Sequence, residues 1–424
     1  MKILVMGSGV IGITTAWYLR EDGHEVTVVD RQPAPAMETS FGNGGQISWG
    51  SAVPWAAPAI PWLALKWLVK PHSPLVLRPR LDPAMWRWLL AMLRNCTPAR
   101  FERNRERMLR LSRYSHDCLI DLRERLGIQY DRGTNGNLIL FRASRQLQLA
   151  RREGKFLARL DIPFRLLDRA QCVAQEPALA PTAEKIVGGI FFPGDESGDC
   201  HLFTEELARR AQERGVQFLR STTIERVQAS GTRIESVVTS HGALTADVYV
   251  AACGSYTPLL LQPLGLRVPV YPIKGYSLTL PVQPGPGAPR GTLTDETYKV
   301  VVTRLGARLR IAGTAELAGY DLTLRPSRFA TLLHVVRDLF PTAADLSAPQ
   351  QWCGLRPMTP GNPPVLGPTP FSNLYLNTGH GTQGWTMACG SGKALADVIS
   401  GQRPGVPIED YALVWRPGPD FRRN

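Results

Sequence analysis

The sequence predicts a mixed α/β fold in which a Rossmann-type nucleotide-binding domain is interleaved with a second domain built on an antiparallel sheet. Two observations predict it. The chain opens with a complete strand, glycine turn, helix and strand, and further strand–glycine turns return near residues 250 and 380, with short strands filling the gaps. The chain has 424 residues, of which 44% are hydrophobic and 20% charged, and is long enough for two ordinary globular domains.

The opening unit carries the most specific signal. An apolar strand over residues 2–6 leads into Gly-Ser-Gly-Val-Ile-Gly at positions 7–12, a helical pattern follows, and a second strand ends at Asp30. Gly7 permits the tight turn, Gly9 lets a pyrophosphate approach the backbone, and Gly12 lets the helix pack against the sheet. The helix N-terminus offers free N–H groups to phosphate, and Asp30 offers oxygens to ribose hydroxyls. The unit predicts an ADP-containing cofactor without separating FAD from NAD.

The predicted domains are discontinuous in sequence. The strand–glycine turns assign residues 1–50, 185–260 and 350–424 to the nucleotide-binding domain and residues 80–184 and 261–349 to the second domain. Such interleaved domains are expected to hold the cofactor at their interface.

A basic, tryptophan-rich segment spans residues 51–80. No acidic residue occurs between positions 39 and 81, and a stretch with eight arginines follows it; the net charge of the chain is +13. The segment and its N-terminal flank contain Trp49, Trp55, Trp62, Trp67, Lys66, Lys70, Arg78 and Arg80. Tryptophan beside lysine and arginine predicts a membrane-interface segment that is too short to cross a bilayer. A loop packed on its own domain and a dimer contact are the alternatives.

The cysteines bear on metal sites and on the cellular compartment. Seven are scattered along the chain without a Cys-x-x-Cys pair, so neither a disulfide framework nor a zinc site is predicted, and no metal is expected. Scattered, reduced cysteines are typical of the cytosol. Because the first strand begins at residue 2, we expect no signal peptide and predict a peripheral position on the cytoplasmic face of the cell membrane.

A longer set of segments carries a family resemblance. It comprises positions 7–12, 38–48, 54–58, 92–96, 198–204, 274–278, 295–299, 354–360 and 377–392. In this order they resemble the D-amino acid oxidase superfamily of FAD-dependent enzymes, and within it the flavin-carrying subunit of bacterial D-amino acid dehydrogenases. The resemblance covers almost the whole chain and implies that the cofactor is FAD.

The resemblance also implies which residues contact FAD. The glycines of the first turn would hold the pyrophosphate, Asp30 and Arg31 the adenosine ribose, and the turn from Gly379 to Trp385 the pyrimidine edge of the flavin. The full set is Gly7, Gly9, Val10, Ile11, Gly12, Asp30, Arg31, Ser40, Gln46, Gly254, Gly379, His380, Gly381, Gly384, Trp385 and Thr386.

Arg356 is the first candidate for the substrate site. In this superfamily an arginine in a Gly-Leu-Arg-Pro context binds the substrate carboxylate. A planar guanidinium forms two parallel hydrogen bonds with a carboxylate, which lysine cannot do. Tyr276 and Tyr298 are expected to add hydroxyls around the substrate. His380 is expected to contact the flavin rather than act as a general base, and Lys274 is a weaker candidate.

The activity implied is oxidative deamination of D-amino acids, with D-alanine as the substrate. Arg356 would aim the Cα–H bond at the flavin, a hydride would pass to it, and the imino acid would hydrolyse to a 2-oxo acid and ammonia. A membrane quinone or respiratory carrier would then take the electrons.

Three alternatives stay open. Gly42 and Gly44 stand where alanine is common in such dehydrogenases, which leaves room for a D-hydroxyproline or other cyclic imino acid dehydrogenase. An oxidase producing hydrogen peroxide is the second alternative. The third is a basic FAD-binding protein that acts on RNA or serves as a scaffold. The segments around Arg356 and His380 give it no support, so no nucleic acid partner is expected.

Overall fold

The structure is a computed structural model that describes residues 1–67 and 73–414, with the backbone alone for residues 65–67. The helices are α1 (Val10–Glu21), α2 (Ile60–Trp67), α3 (Pro83–Asn95), α4 (Pro98–Leu126), α5 (Ser144–Arg159), α6 (Arg169–Gln175), α7 (Cys200–Glu213), α8 (Thr257–Leu261), α9 (Pro326–Leu339) and α10 (Gly384–Ile399). The strands are β1 (Lys2–Met6), β2 (Glu25–Val29), β3 (Gln46–Ile47), β4 (Leu75–Leu77), β5 (Asn137–Phe141), β6 (Arg165–Asp168), β7 (Gly188–Phe192), β8 (Glu196–Ser197), β9 (Gln217–Leu219), β10 (Ile224–Ser230), β11 (Arg233–Thr239), β12 (Gly242–Leu244), β13 (Val248–Ala251), β14 (Tyr271–Pro281), β15 (Thr292–Asp295), β16 (Val300–Leu305), β17 (Arg308–Leu317), β18 (Gln350–Met358), β19 (Val365–Pro368) and β20 (Leu374–Thr378).

The first sheet is the predicted Rossmann-type sheet. Its strands run in the order β19-β20-β13-β1-β2-β9, all parallel except β19, which is antiparallel to β20. Side chains alternate between the two faces of a strand. Ile3 and Val5 of β1 therefore pack against α1, α7 and α10, whereas Leu4 and Met6 lie in the core on the other side. Burial on both faces explains why β1 reads as a continuous apolar run.

The second sheet is larger and mainly antiparallel, as predicted. Its strands run in the order β18-β14-β17-β16-β15-β5-β7-β6, with β4 beside β17; the pairs β5–β15 and β4–β17 are parallel. Helix α9 covers one face, where Phe329 and Leu332 pack into a core with Leu278 and Ile311. The opposite face of β14, β17 and β18 lies towards the glycine-rich loop that follows β2, over residues 32–50. Arg310 of β17 donates hydrogen bonds to the carbonyls of Phe41 and Asn43 in that loop.

Two strands pair differently from the sequence-based domain assignment. Strands β7 and β18 fall within residues 185–260 and 350–424, which were assigned to the nucleotide-binding domain, yet both hydrogen-bond within the larger sheet. Short apolar strands carry no mark of the sheet they join, so pattern alone cannot assign them. The domain boundaries themselves stay a prediction.

The segment 51–80 is partly anchored in the fold. Strand β4 pairs with β17, and the backbone N–H of Trp55 donates to the side chain of Asn362 over 2.9 Å. Trp62 on α2 is 73% exposed. The side chains of Lys66 and Trp67, and the whole of Lys70, lie outside the described residues. Across residues 1–67 and 73–414, no helix combines the length and apolar character that crossing a membrane requires.

Candidate active site

A long cleft opens at the carboxyl ends of β1, β2, β13 and β20. Ligands of open α/β sheets bind at this edge. The cleft is lined by Gly7, Gly9, Val10, Ile11, Val29, Asp30, Arg31, Gln32, Ala36, Met37, Glu38, Thr39, Ser40, Asn43, Thr223, Ile224, Glu225, Ala252, Cys253, Gly254, Ser255, Tyr256, Leu259, Leu260, Pro357, Asn377, Thr378, Gly379, His380, Gly381, Gly384 and Trp385. The structure therefore brings together most of the residues that the sequence assigned to the cofactor.

The three glycines of the first turn have different physical roles. Gly7 has a φ of +107°, and a Cβ there would lie 2.7 Å from the carbonyl oxygen of Ala252. A Cβ at Gly12 would lie 1.9 Å from the carbonyl oxygen of Gly7, so Gly12 shapes the turn without lining the cleft. A Cβ at Gly9 would meet only the Ser40 hydroxyl at 3.5 Å, an ordinary contact. The packing of the chain does not require glycine at position 9, whereas a ligand close to the backbone does.

Asp30 stabilises the glycine turn between β1 and α1. One carboxylate oxygen accepts hydrogen bonds from the backbone N–H of Ser8 over 2.6 Å and from its hydroxyl over 2.8 Å. The other accepts from the backbone N–H of Gln32 over 2.8 Å. That second oxygen, Oδ1, keeps a lone pair for a ribose hydroxyl. Asp30 thus orders the first glycine turn, and its predicted contact with the adenosine ribose stays a prediction.

Arg31 forms one wall of the cleft. Its guanidinium lies 4.0 Å from the ring centroid of Tyr256 and donates to Glu38 over 2.6 Å. The hydrogen bond to Glu38 helps hold the pKa of Arg31 above its ordinary value, against the opposing effect of burial. Tyr256 was not identified from the sequence; its place two residues beyond Gly254, in the turn that follows β13, was the available signal.

Ser40 lies at the N-terminus of α1, and both line the cleft. The Ser40 hydroxyl accepts a hydrogen bond from the backbone N–H of Val10 over 3.1 Å, and Ser40 is 8% exposed. The N–H of Val10 is thus paired within the protein, whereas the positive end of the α1 dipole lies at the cleft and favours an anionic group.

His380 lies at the other end of the cleft and is 2% exposed. Its Nε2 is 3.0 Å from the Ser391 hydroxyl. Within the described part of the chain, Nδ1 of His380 and the side-chain oxygen of Asn377 have no hydrogen-bond partner. Burial lowers the pKa of His380 to about 3, so the ring is neutral at physiological pH. This geometry is compatible with a contact to a polar ring edge and gives no support to a general base.

Two residues that were predicted to contact the cofactor form hydrogen bonds to other residues of the protein. The side chain of Gln46 donates to Thr294 over 3.1 Å, and the hydroxyl of Thr386 accepts from the backbone N–H of Ser48 over 3.1 Å. Neither Gln46 nor Thr386 lines the cleft. Trp385 does, although its indole is 2% exposed and donates to the carbonyl of Gly198.

Arg356 lies on β18, immediately before the cleft-lining Pro357. Its guanidinium covers Gly275 of β14, where a Cβ would lie 2.3 Å from the guanidinium carbon. It donates to the backbone carbonyls of Thr314 over 2.9 Å and Gly313 over 3.4 Å. Burial lowers the pKa of Arg356 to about 10, which still leaves it cationic at neutral pH. Among residues 1–67 and 73–414, no carboxylate forms an ion pair with it, so its positive charge is available to a ligand.

Tyr276 lies on the opposite face of the sheet from Arg356. In the β14–β18 register, Ile273 pairs with Arg356 and Tyr276 with Cys353, and residues three apart on a strand point to opposite faces. The Tyr276 hydroxyl donates to Glu316 over 2.5 Å, and its ring packs on Phe329 of α9. The expected substrate contact is therefore corrected to a buried core tyrosine.

Lys274 and Tyr298 likewise lie away from the expected substrate site. Lys274 shares the face of Tyr276, is fully buried, and donates to the carbonyl of Thr323 over 2.5 Å. Tyr298 packs against His334 of α9. Both lie in the layer between the larger sheet and α9, away from Arg356.

The cleft fits FAD by three independent observations. Gly9 leaves room against the backbone, the positive end of the α1 dipole lies at the cleft, and two buried polar atoms on Asn377 and His380 have no partner in the described protein. The first two suit a pyrophosphate, and the last suits the polar edge of a flavin ring. The apolar side chains of Leu259, Leu260 and Ile224 line the same cleft and suit the adenine ring.

Comparison with protein families gives a direct match. The family model described as "FAD dependent oxidoreductase" (DAO) matches residues 2–398. A relative named D-amino acid dehydrogenase from Bradyrhizobium diazoefficiens is 54% identical over 408 residues, which cover 96% of this chain and 97% of the relative. A relative of the same name from Agrobacterium fabrum is 53% identical over 413 residues, covering 97% and 99%.

Solved structures share the fold at much lower identity. A glycine oxidase from Geobacillus kaustophilus superposes with a TM-score of 0.76 at 21% identity and covers 98% of this chain and 99% of its own. An L-proline dehydrogenase from P. horikoshii gives a TM-score of 0.74 at 19% identity, covering 97% and 96%. At these identities the likeness establishes the fold alone.

Proposed function

The chain belongs to the DAO family of FAD-dependent oxidoreductases, and on that premise we propose that it oxidises D-amino acids, with D-alanine as a substrate, to 2-oxo acids and ammonia. The observation that carries this proposal is Arg356, a half-buried cation without an ion-pair partner in the described chain, next to the cofactor cleft. The names of relatives that are more than half identical over nearly the full length support the choice of D-amino acids.

Arg356 binds and orients the substrate. The carbonyls of Thr314 and Gly313 hold the guanidinium against Gly275, so its remaining donors face a ligand in a fixed plane. A carboxylate pairs with such a plane through two parallel hydrogen bonds, which fixes both its position and its tilt. Bound FAD supplies the oxidising power by taking up the hydride that leaves Cα. Water then hydrolyses the imino acid.

His380 assists without exchanging a proton. With its pKa lowered to about 3 by burial, it stays neutral through the working range of pH. Its Nε2 is tied to Ser391, so Nδ1 is left as the atom that faces a cofactor. We therefore expect the substrate to react with its amine in the neutral form, without proton transfer to His380.

The direct test is anaerobic mixing of the holoenzyme with D-alanine and, separately, with L-alanine. Loss of flavin absorbance at about 450 nm with the D form alone is the expected result. Bleaching by D-proline analogues but not by D-alanine would favour a cyclic imino acid dehydrogenase. Rapid oxygen consumption in air without an added acceptor would favour an oxidase. An unchanged spectrum with every D-amino acid would refute the proposal.

We further propose that the electrons pass to a quinone at the cytoplasmic face of the cell membrane, where the protein binds peripherally through helix α3. The inner face of α3 packs on the larger sheet through Met85 and Trp88. Its outer face is apolar, with Trp86, Leu90 and Leu93 exposed by 44%, 56% and 51%.

The surroundings of α3 support the same interpretation. Leu81 is fully exposed just before the helix, and Arg87 and Arg94 are exposed beside its apolar face. Helix α2, with exposed Trp62, and helix α3 both pack beside β4. Exposed tryptophan and leucine beside arginine, in a chain of net charge +13, match an anionic lipid surface.

Flotation of the holoenzyme with vesicles tests this surface. Vesicles containing phosphatidylglycerol are expected to bind the protein more tightly than pure phosphatidylcholine vesicles, and the difference should shrink in high salt. The triple substitution Trp86→Ser, Leu90→Ser, Leu93→Ser is expected to weaken binding at least about tenfold. Leu149→Ser, at a leucine on α5 that is 54% exposed, is the matched control. Equal binding by the triple variant and the control would exclude α3 as the contact.

A further inference from the structure

Two glycines face each other beside Arg356. Gly275 of β14 and Gly354 of β18 are directly paired. The guanidinium of Arg356 covers Gly275, and the indole of Trp352 covers Gly354, where a Cβ would lie 2.1 Å from the ring. Opposed residues of an antiparallel pair have Cβ positions about 5 Å apart. The guanidinium and the indole therefore lie side by side over a floor that has no side chains.

The glycine-rich loop bounds the same indole from a second side. A Cβ at Gly42 would lie 2.0 Å from Cε3 of Trp352. The benzo part of the ring thus occupies the space that side chains at positions 42 and 354 would fill. Phe41 extends this wall, with its ring centroid 6.4 Å from that of Trp352. The indole is only half-buried, so part of its surface is open to a ligand.

We propose that Trp352 is the wall of the subsite for the substrate side chain, and that Gly42 determines how far this wall recedes. The inference rests on the proposed function. An amino acid whose carboxylate is bound by Arg356 has its Cα one bond away, so its side chain lies within reach of the neighbouring indole. The flat apolar surface selects by size and packs against aliphatic or aromatic groups.

The absence of a side chain at Gly42 affects the size of the subsite. Alanine at position 42 would put a methyl group into the volume of the indole. Because the ring already lies on Gly354, it would have to move sideways off the loop, into the space beside Arg356. The subsite would become smaller. Glycine at position 42 therefore gives a wider subsite than alanine would, and the size of the accepted side chain depends on positions 42 and 352 together.

The test compares kcat/KM for D-alanine and D-phenylalanine with an artificial dye acceptor in the holoenzyme variants Trp352→Phe, Trp352→Ala and Gly42→Ala. The ratio of D-phenylalanine to D-alanine is expected to rise at least about tenfold in Trp352→Ala, less in Trp352→Phe, and to fall in Gly42→Ala. Leu149→Ala on α5 is the control. A ratio within about twofold of the wild type in both Trp352 variants would overturn the inference.

A binding measurement separates this inference from the proposed activity. Acetate and 3-phenylpropionate are titrated into the holoenzyme, and their Kd values are read from the perturbation of flavin absorbance. Trp352→Ala is expected to favour 3-phenylpropionate over acetate by at least about tenfold relative to the wild type. That result would support the subsite even if no D-amino acid bleached the flavin. An unchanged selectivity between the two carboxylates would refute the subsite even if D-alanine bleached the flavin. Flavin content and far-ultraviolet circular dichroism identify any variant that fails to fold.

Discussion

Replacing Arg356 by methionine is expected to lower kcat/KM for D-alanine by roughly 30- to 5,000-fold, because removing one partner of a buried, hydrogen-bonded charge pair costs about 2–5 kcal/mol. Methionine nearly preserves the volume above Gly275 but carries no charge and no donors. Steady-state kinetics with a dye acceptor measures the effect, which should appear mainly in KM if substrate and transition state bind Arg356 alike.

Arg356→Lys is the informative companion variant. Lysine retains the charge and loses the planar pair of donors, so we expect an intermediate kcat/KM. The pH dependence supplies a second criterion. Because the cation at Arg356 binds the carboxylate and its pKa is lowered to about 10, wild-type KM should rise as pH approaches that value. Flavin content and Tm should match the wild type in both variants. A methionine variant with kcat/KM within about threefold of the wild type would remove Arg356 from the substrate site.

Gly9→Ala is expected to separate cofactor binding from folding. Position 9 has φ −68° and ψ 175°, which any residue adopts, and its added methyl group meets only Ser40 at ordinary distance. The Tm of the apoprotein should therefore stay near the wild type. The methyl group would stand between the backbone and the pyrophosphate, so FAD affinity should fall at least about 100-fold, equivalent to about 2.8 kcal/mol. Fluorescence titration of the apoprotein with FAD measures this affinity.

Gly12→Ala is the matched comparison, since the same methyl group meets the Gly7 carbonyl at 1.9 Å. Overpacking at such a site costs about 1–3 kcal/mol or more. We expect a lower Tm already in the apoprotein, with FAD binding lost as a result. Equal changes in Tm for the two variants would contradict the distinction between the glycine that admits the ligand and the glycine that shapes the turn.

The cofactor cleft could be predicted from the sequence largely because its signals are local. Gly7, Gly9 and Asp30 belong to one continuous unit, and the turns at Gly254 and Gly379 each follow a strand of the same parallel sheet, whose carboxyl ends meet at one edge. Position within a strand–turn unit is enough to place such residues.

The substrate face could be predicted only in part, because it depends on register. Arg356 and Tyr276 lie on neighbouring strands, and a shift of one residue in their pairing would put both side chains on the same face. The sequence contains no signal for that choice. Likewise, Gln46 and Thr386 bond to distant residues, Thr294 and Ser48, that only the tertiary fold brings near. The pairing of Gly275 with Gly354 has the same origin.

The interleaving of the two sheets affects how the chain acquires its structure during synthesis. Strand β20 inserts between β13 and β19, and β18 completes the edge of the larger sheet that carries Arg356. Neither sheet is whole until more than four-fifths of the chain has left the ribosome. Contacts between residues so far apart in sequence form slowly. FAD binding is therefore expected to follow translation, and nascent chains should depend on chaperones that shield unpaired strand edges until the last helix docks.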